Sequence, residues 1–500
     1  MSCLQLFSTL RWATLTSFIL LSNIAWATHS TLQFKQPALI KAQSALFDMD
    51  FDKALGLLQS DPKCNTLEFL YVQHYALYLQ YWVHKSTHDY DVFEKQSERI
   101  NTQIHQLKSV SPDFLMVNAD IQLQLAWLSL SNHAYFQAAK QFKVALNLSK
   151  QCRSLFPNYT PILKIEGWLQ ATAGAVPKSY HLGVKALGVK PDLAGGIEKL
   201  EDFCNNSRDF MPPIVKNNAR FALLYLHIHL LNTPNKAVEL SRQYWVDPSN
   251  ALSDYMRIHI LNEANQSKEL LAQIQAFKVR YPFSNPYLDL LQGIAYTQNT
   301  SFSKAIPLLQ SYLSKNTSGH YNAYAQYYLA LSLYLNGQKD EGLKTMNQVS
   351  KQRNTKHEKD KQAIQDASRF DPKEVELIKA RLLFDGEEYP NALSVLQRLE
   401  GLSGFNQTEI LYRKARCFHM LNQTDSALHY YRKSIQNGKN SPRYFATYAA
   451  FQTACIYELQ GNAEQALHYF NSVLTDFSAN QEYQKSIEQK AKAGIQRLRK

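Results

Sequence analysis

The stretch CFHMLNQTDSALHYYRKSI, residues 417–435, is followed 39 residues later by a near copy, IYELQGNAEQALHYFNSVL, residues 456–474. Each copy has a small residue just before it, a second small residue twelve positions later, and an aromatic ring four positions after that. These are Ala415, Ala427 and Tyr431 in the first copy, and Ala454, Ala466 and Phe470 in the second. Polar residues separate the two small ones, so each copy predicts a helix, a tight turn and a second helix.

The same spacing of small residues occurs seven times along the chain. The pairs are Ala42/Ala54, Ala126/Ala138, Gly293/Ala305, Ala330/Gly342, Ala380/Ala392, Ala415/Ala427 and Ala454/Ala466. Sixteen positions after each first member stands a large residue, namely Leu58, Phe142, Leu309, Met346, Leu396, Tyr431 or Phe470. Antiparallel helices cross closely only where both lack a bulky side chain, and a large neighbour fills the adjacent groove. The pattern therefore predicts stacked helical hairpins.

Short polar segments separate the paired small residues. They include LNQTDS, LQGNAEQ, LNGQKDE, FDGEEYPN and TQNTSFSK. We expect Asn and Gly to end the first helix of each hairpin there, and acidic or hydroxyl residues to begin the second.

At the carboxyl end the pattern resembles the tetratricopeptide repeat family. The family's small, bulky, small, bulky positions match Ala415, Phe418, Ala427 and Tyr431, and again Ala454, Tyr457, Ala466 and Phe470. The units here are 35 to about 50 residues apart, longer than the family's usual 34. The resemblance implies an all-α fold, an α-solenoid of stacked antiparallel hairpins in a superhelix, with a concave face lined by the first helices.

Upstream of these units the hairpin rhythm continues without the clean small pair. We expect about ten hairpins from residue 37 to the end, and no sheet because no segment alternates strictly. The predicted organisation is a signal peptide at 1–27, a divergent helical-repeat region at 28–280 and a tetratricopeptide-like region at 281–500. The charged insertion KQRNTKHEKDKQAIQDASRFDP, residues 351–372, is expected to be an extended helix end or a mobile loop.

A glycine-rich segment at 173–200 interrupts the rhythm. Its GGIEKLEDF continuation is similar, more loosely, to the inclusion-body clearance group of tetratricopeptide repeat proteins. That similarity implies an irregular helical pair inserted in the solenoid. Its glycines are expected to act as hinges or helix ends, the alternative being an anion site at Lys185 and Lys190.

The amino terminus predicts export. Arg11 precedes the apolar run WATLTSFILLSNIAWA, which is short for a membrane span and ends in the small residues Ala25 and Ala27. We expect cleavage after Ala27 and a periplasmic or secreted protein of the cell envelope; an uncleaved anchor is the alternative. Five cysteines then remain, which we expect to be buried thiols, with a Cys417–Cys455 bridge as the alternative.

Composition excludes several functional classes. The chain has 500 residues and a formal net charge of +12, from 54 basic and 42 acidic residues mixed along its length. The dense basic run, QKSIEQKAKAGIQRLRK at 484–500, is expected to be a solvated final helix, with contact to an acidic protein or anionic lipid as the alternative. The sequence has no basic stripe interleaved with aromatic residues, so we expect no nucleic-acid partner.

The motifs of common enzymes are absent from the sequence. It has no glycine-rich phosphate loop, no nucleophile elbow and no C-x-x-C pair. His84 and His88 are four residues apart, but no further ligand pair supports them. We therefore expect no catalysis, no cofactor and no metal.

The first helices carry a stripe of residues at i, i+3, i+7 and i+10, which would line the groove that the resemblance implies. The candidate partner-binding residues on it are Tyr324, Tyr327, Tyr334, Arg381, Tyr412, Arg416 and Tyr448. Tyr and Arg are common in binding hot spots, although such a stripe also packs between hairpins. The leading hypothesis is a non-enzymatic, exported scaffold for a protein or peptide; a glycan- or peptidoglycan-binding module and a membrane-associated protein are the alternatives.

Overall fold

The structure is a computed structural model that describes most of the chain. The described residues are 32, 34–84, 87–132, 134–175, 188–206, 212–231, 233–245, 250–281, 283, 285–316, 319–353, 355, 357–477 and 484–498. Within them lie 24 α-helices, two short 3-10 helices and no strand. This confirms the predicted all-α solenoid. The predicted signal peptide, residues 1–27, and residues 176–187 of the glycine-rich segment lie outside the described residues.

The chain divides into two compact units. Unit 1 contains the described residues up to Ala264 together with 276–281, and unit 2 contains 265–275 and the described residues from Phe283 onward. The helices up to Glu263 are α1 Pro37–Phe47, α2 Phe51–Ser60, α3 Leu67–His84, α4 Thr87–Gln106, α5 Pro112–Ser131, α6 Tyr135–Leu155, α7 Leu163–Ala175, α8 Leu193–Asn206, α9 Pro213–His229, α10 Pro234–Tyr244 and α11 Ala251–Glu263.

Helix α12, Ser267–Arg280, contributes residues to both units. The remaining helices belong to unit 2. They are α13 Pro286–Gln298, α14 Phe302–Lys315, α15 Asn322–Leu335, α16 Lys339–Ser350, α17 Glu358–Ser368, α18 Val375–Asp385, α19 Tyr389–Leu399, α20 Gln407–Met420, α21 Thr424–Gly438, α22 Phe445–Leu459, α23 Ala463–Thr475 and α24 Gln484–Leu498.

All seven predicted small pairs lie on consecutive helices, and every member is buried. The hairpins are α1/α2, α5/α6, α13/α14, α15/α16, α18/α19, α20/α21 and α22/α23. A Cβ atom added at Gly342 would lie 2.7 Å from the backbone nitrogen of Tyr334 and 2.9 Å from the carbonyl oxygen of Ala330. The backbones of α15 and α16 therefore meet where the sequence pattern places two small residues.

Most of the tight turns share one backbone conformation and one backbone hydrogen bond. In six of these hairpins the residue seven positions after the first small one has a positive φ; these residues are Met49, Thr300, Gly337, Glu387, Asn422 and Gly461. The next residue then donates its N–H to a carbonyl five positions back, as from Gln338 to Leu333 at 3.0 Å. This is the Schellman ending of a helix.

Asn or Gly lies at the end of the first helix in five of these hairpins, as expected. Gly337, Asn422 and Gly461 take the left-handed conformation themselves. In two hairpins the helix ends at Asn299 or Gly386, and the next residue, Thr300 or Glu387, takes that conformation. Gly386 serves another purpose, because an added Cβ would lie 2.8 Å from the carbonyl oxygen of Gln298. Close backbone approach explains the glycine better than turn geometry does.

The charged insertion is neither a helix extension nor a loop. Helix α16 ends at Ser350, and residues 358–368 form the separate helix α17. Ala363 and Ala367 on α17 are buried in a core with Leu331, Met346 and other residues of α15 and α16. Two small residues one turn apart allow α17 to pack there, which the charged flanking residues obscure in the sequence.

Glycines bring α7 and α8 together in unit 1. A Cβ at Gly196 would lie 2.3 Å from the backbone nitrogen of Ala171 and 2.7 Å from the carbonyl oxygen of Gly167. Gly196 is thus a packing residue within a helix, rather than the hinge or helix end expected for this segment. Gly188 alone among the segment's described glycines has a positive φ, of 86°.

A buried polar cluster centres on Asp120 in unit 1. One of its carboxylate oxygens accepts hydrogen bonds from Lys164 at 2.6 Å, from Tyr71 at 2.6 Å and from Asn218 at 3.2 Å. The side chains of Lys164 and Asp120 are both fully buried. Burial lowers the pKa of Lys164, and the Asp120 carboxylate partly opposes that effect. The helices carrying these residues are therefore joined by a desolvated ion pair.

The five cysteines within the described residues are free. Cys152, Cys204 and Cys417 are buried, while Cys64 and Cys455 are partly exposed. Burial raises the pKa of Cys152, Cys204 and Cys417 to about 12. These three are therefore inert thiols at neutral pH, and the alternative of a Cys417–Cys455 bridge is wrong for this structure.

Candidate functional site

Unit 2 contains a cleft of about 430 Å³. Helices α15, α17, α18 and α20 contribute to it, together with the segment that leads into α22. The lining residues are Asn265, Tyr327, Gln362, Asp366, Arg369, Phe370, Glu374, Leu377, Ile378, Arg381, Phe384, Asp385, Glu409, Tyr412, Arg413, Arg416, Arg443, Tyr444 and Phe445. Five arginines and four carboxylates thus surround a partly aromatic cavity.

Helical spacing places these groups on common faces. Leu377, Arg381 and Phe384 are four and three residues apart on α18. Glu409, Tyr412, Arg413 and Arg416 lie at i, i+3, i+4 and i+7 on α20. Residues at such spacings occupy one side of a helix, so each helix presents its basic and aromatic groups together.

Arg381 is held by an aromatic neighbour. Its Nη2 atom donates a hydrogen bond of 2.6 Å to the hydroxyl oxygen of Tyr327 on α15. Tyr327 is 4% exposed, so the contact fixes the guanidinium against a buried ring. Burial raises the pKa of Tyr327, which therefore stays neutral at physiological pH and does not cancel the charge of Arg381.

Arg416 lies among aromatic rings. Its guanidinium carbon is 5.4 Å from the ring centre of Phe384, within range of a cation–π interaction. Its Nε atom is buried and has no hydrogen-bond partner among the described residues. The neighbouring Tyr412 is buried and packs against Tyr431 and Tyr444. The ring contacts hold Arg416 in place while one of its donors remains unused.

Arg413 differs because it has an acidic partner on its own helix. Its Nε atom donates to Oε1 of Glu409 at 2.7 Å, and Nη2 lies 2.6 Å from the same oxygen. The guanidinium also lies over the ring of Phe445 at 5.8 Å. The pair is 13% and 16% exposed, so it retains part of its Coulomb attraction. Arg413 is therefore neutralised locally, unlike Arg381 and Arg416.

Asp385 is the carboxyl group set among these arginines. Burial raises its pKa, and Arg381, Arg413 and Arg416 oppose that shift without cancelling it. The pKa of Glu374 is also raised, first by burial and then by Glu409. Both carboxyl groups are thus easier to protonate than in water, which makes the cleft more positive as the pH falls.

The structure brings together four of the seven predicted site residues. Tyr327, Arg381, Tyr412 and Arg416 line the cleft. The other three do not line it. The ring of Tyr324 packs edge-on against Tyr328 at 5.1 Å, that of Tyr334 packs against Phe370 at 5.5 Å, and the Tyr448 hydroxyl accepts a 2.9 Å hydrogen bond from Lys490. A neighbour on the same helix therefore packs against Tyr324, while residues beyond α15 or α22 contact Tyr334 and Tyr448.

The sequence pattern does not identify several residues of the cleft. Asp366 lies on α17 and Arg369 directly follows it, in the charged insertion that we expected to be a helix extension or a loop. Arg413 could have been found, because it follows Tyr412 directly and lies four residues after Glu409. Arg443 and Tyr444 lie in the approach to α22, where a helical stripe gives no indication.

The described residues lack two further kinds of site. No helix among them is long and apolar enough to cross a bilayer. No group of three or more His, Cys, Asp or Glu in the described part of the chain could hold a metal ion.

Comparison with known proteins identifies the kind of repeat in two of the hairpins. Stacked antiparallel hairpins define a helical-repeat protein. A family model for the tetratricopeptide repeat matches residues 324–353 and 448–479. The first match covers the hairpin α15/α16, and the second covers the hairpin α22/α23. The chain therefore contains tetratricopeptide repeats at these two places. Such repeats generally form non-enzymatic scaffolds that bind other proteins.

The solved structures add little beyond this. The tetratricopeptide repeat domain of P58(IPK) is 14% identical with a TM-score of 0.20, covering 86% of this chain and 99% of that one. A human IFIT1 dimer with PPP-AAAA is 14% identical with a TM-score of 0.28, covering 86% and 94%. Superposition this weak carries no functional argument. No curated protein sequence gives a significant match.

Proposed function

We propose that the protein is an exported, non-enzymatic scaffold that binds an acidic segment of a partner protein or peptide through the arginine-lined cleft. The observation that carries this proposal is the state of Arg381 and Arg416. Both guanidinium groups are held by aromatic residues, and neither forms an ion pair with a carboxylate among the described residues. A carboxylate from a partner would supply a direct ion pair and further hydrogen bonds.

The size and composition of the cleft suit an extended peptide. About 430 Å³ accommodates a few side chains, and Tyr327, Tyr412 and Phe384 provide apolar contact beside the arginines. Tyr and Arg in a desolvated setting are the usual anchors of protein interfaces. Export rests on the apolar run at 12–27 and its Ala25-x-Ala27 ending, which favour a periplasmic or secreted protein of the cell envelope.

The direct test uses the mature chain from residue 28 and a fluorescein-labelled, glutamate-rich peptide in fluorescence anisotropy. Arg381→Gln/Arg416→Gln should weaken binding at least about tenfold, because each lost charge-assisted hydrogen bond is worth about 1.5–3 kcal/mol. The matched control is Arg353→Gln/Arg398→Gln, which removes the same charge from exposed positions outside the cleft. Equal loss in both variants would indicate nonspecific attraction and contradict the proposal.

A second arm looks for the natural partner. Envelope extract is passed over the mature chain and over Arg381→Ala/Tyr412→Ala/Arg416→Ala, and the retained proteins are compared. A partner held by the first and lost by the second supports the cleft as the binding surface. Binding of the labelled peptide that a chito-oligosaccharide displaces would favour a glycan site instead. Co-sedimentation of both chains with anionic vesicles would favour membrane association.

A further inference from the structure

Helix α6 in unit 1 has one long face that is exposed to solvent. Lys140, Lys143 and Lys150 lie on it, and all three are exposed. At 3.6 residues per turn they fall within an arc of about 80° around the helix, and Phe136 lies near the middle of that arc. We call the three lysines the basic row. From Phe136 to Lys150 the face is about 21 Å long, at 1.5 Å per residue.

The opposite face of α6 holds the helix in the fold. Ala138, Ala145 and Cys152 lie on that face at intervals of seven residues and are buried. Through it α6 packs against α5 and α7. Because the packed face and the basic row are on opposite sides of the helix, folding of the chain leaves the row exposed.

The exposed face carries positive charge alone. The 21 residues of α6 include no Asp or Glu. The three lysines of the basic row form no ion pair with any described residue. Arg153, which lies to the side of the row, differs because Glu166 on α7 accepts hydrogen bonds of 2.9 Å and 3.0 Å from it.

The helices packed against α6 offer the row no counter-charge. Asp113 and Asp120 are the acidic residues of α5, and Glu166 is that of α7. Asp113 is buried and accepts a 2.6 Å hydrogen bond from the hydroxyl of Tyr159. Asp120 forms the buried ion pair with Lys164, and Glu166 binds Arg153. The charge of the basic row is therefore left to solvent ions or to a partner.

Aromatic side chains lie at the amino-terminal end of the same face. Phe136 is 86% exposed, more than any other large apolar side chain among the described residues. Tyr135 beside it is 64% exposed. Burial of a phenylalanine ring is favourable, and the fold leaves that free energy unused here. A partner that covers the ring and supplies negative charge would satisfy both features of the face.

The residue types favour a lipid surface over a protein as that partner. Protein interfaces are enriched in Arg and depleted in Lys, whereas this row consists of lysines alone. Lysines are attracted to anionic headgroups as point charges, and a phenylalanine enters the boundary between headgroups and acyl chains. A straight row with the ring on the same arc can meet a flat bilayer with all four side chains at once.

We propose that this face of α6 docks the protein on an anionic lipid bilayer. Lys140, Lys143 and Lys150 lie at the headgroups, and Phe136 inserts among them. Peripheral binding of this kind needs no membrane-spanning helix and is reversible. The face belongs to unit 1 and the peptide-binding cleft to unit 2, so membrane docking accompanies peptide binding and does not replace it.

Co-sedimentation of the mature chain from residue 28 with vesicles tests the charge. Vesicles of phosphatidylcholine and phosphatidylglycerol in equal parts should bind the chain in low salt, and vesicles of phosphatidylcholine alone should not. Binding should disappear at about 1 M salt, where the Debye length is about 3 Å. Lys140→Gln/Lys143→Gln/Lys150→Gln should lower the partition coefficient about a hundredfold, since each lysine contributes about a factor of five.

The matched control is Lys41→Gln/Lys53→Gln/Lys95→Gln. It removes the same charge from exposed positions on α1, α2 and α4 and should bind the vesicles nearly as well as the unaltered chain. Equal loss in the two triple variants would reduce the effect to net charge and overturn the proposal. The glutamate-rich peptide should bind the α6 variant normally, so failure of this proposal is distinguishable from failure of the cleft.

Two substitutions at Phe136 test insertion. Phe136→Ser should lower vesicle binding about tenfold, the lower end of the value for burial of a phenylalanine ring. Leu459→Ser, at an 84% exposed position of α22, should not lower it. The fluorescence of Phe136→Trp should be quenched by brominated phosphatidylcholine in the anionic vesicles more than that of the unaltered chain. Absence of this extra quenching would overturn the proposal, and binding that Phe136→Ser leaves intact would replace it with an acidic protein partner.

Discussion

Replacing Gly342 by alanine tests the packing that defines the fold. The added Cβ would lie 2.7 Å from the backbone nitrogen of Tyr334 and 2.9 Å from the carbonyl oxygen of Ala330. Both are backbone atoms, so α15 and α16 must separate instead of a side chain turning aside. Overpacking of this kind costs about 3 kcal/mol at its upper end. Alanine regains about 1 kcal/mol of helix propensity, so the net loss is about 2 kcal/mol.

Gly56→Ala is the matched control. Gly56 is an exposed residue of α2, and an added Cβ there meets nothing within 4 Å. This substitution should stabilise its helix by about 1 kcal/mol, which leaves about 3 kcal/mol between the two variants.

Hydrogen exchange measured by mass spectrometry reports each helix separately, because a repeat protein of two units need not unfold in one step. Gly342→Ala should speed amide exchange in α15 and α16 while leaving α1 and α2 unchanged. Urea unfolding gives the free-energy difference. If Gly342→Ala protects α15 and α16 as well as Gly56→Ala protects α2, the close crossing is refuted.

Three further substitutions test other parts of the structure. Thr300→Gly should raise the free energy of unfolding by about 1 kcal/mol in urea, because a β-branched residue at φ 56° is strained; Gly337→Thr should do the reverse. Burial lowers the pKa of His74 to about 4, so stability present above pH 6.5 should fall by about 3 kcal/mol as the pH drops towards 4, since the unfolded chain binds the proton first. His74→Gln should remove that dependence in urea titrations, and the exposed control His468→Gln should keep it. Asp385→Asn should tighten binding of the glutamate-rich peptide about fivefold in low salt by removing a charge near three arginines, whereas Asp425→Asn, outside the cleft, should leave anisotropy titrations unchanged.

The sequence predicts the hairpins well because their packing is local. A small residue and its partner twelve positions later are joined by one tight turn, so the spacing alone defines the crossing. The crossing of Gly167 with Gly196 escapes this rule, since a longer segment separates the two residues. Residue type does not identify the left-handed turn position either. Thr300 and Glu387 occupy it because the turn imposes φ > 0 seven positions after the first small residue, whatever residue is present.

The cleft is only partly predictable for a related reason. The stripe on α18 and α20 identifies Arg381, Tyr412 and Arg416 because each helix has one periodic face. The stripe also selects Tyr334, which does not line the cleft. Its ring packs against Phe370, a residue that follows α17. Which tyrosines remain open to a ligand depends on neighbouring helices, and the sequence of one helix does not contain that information.

The buried ion pair of Lys164 and Asp120 constrains how the sequence can change over time. Loss of either member alone strands the other charge in a dry interior, which costs about 3–5 kcal/mol, whereas exchange of both for apolar residues is often neutral. Neutral drift one substitution at a time is therefore blocked at both positions. Descendants of this chain should keep the two residues together or lose them together, and Tyr71 and Asn218, which donate to the same carboxylate, should drift most freely in lineages that have lost the pair.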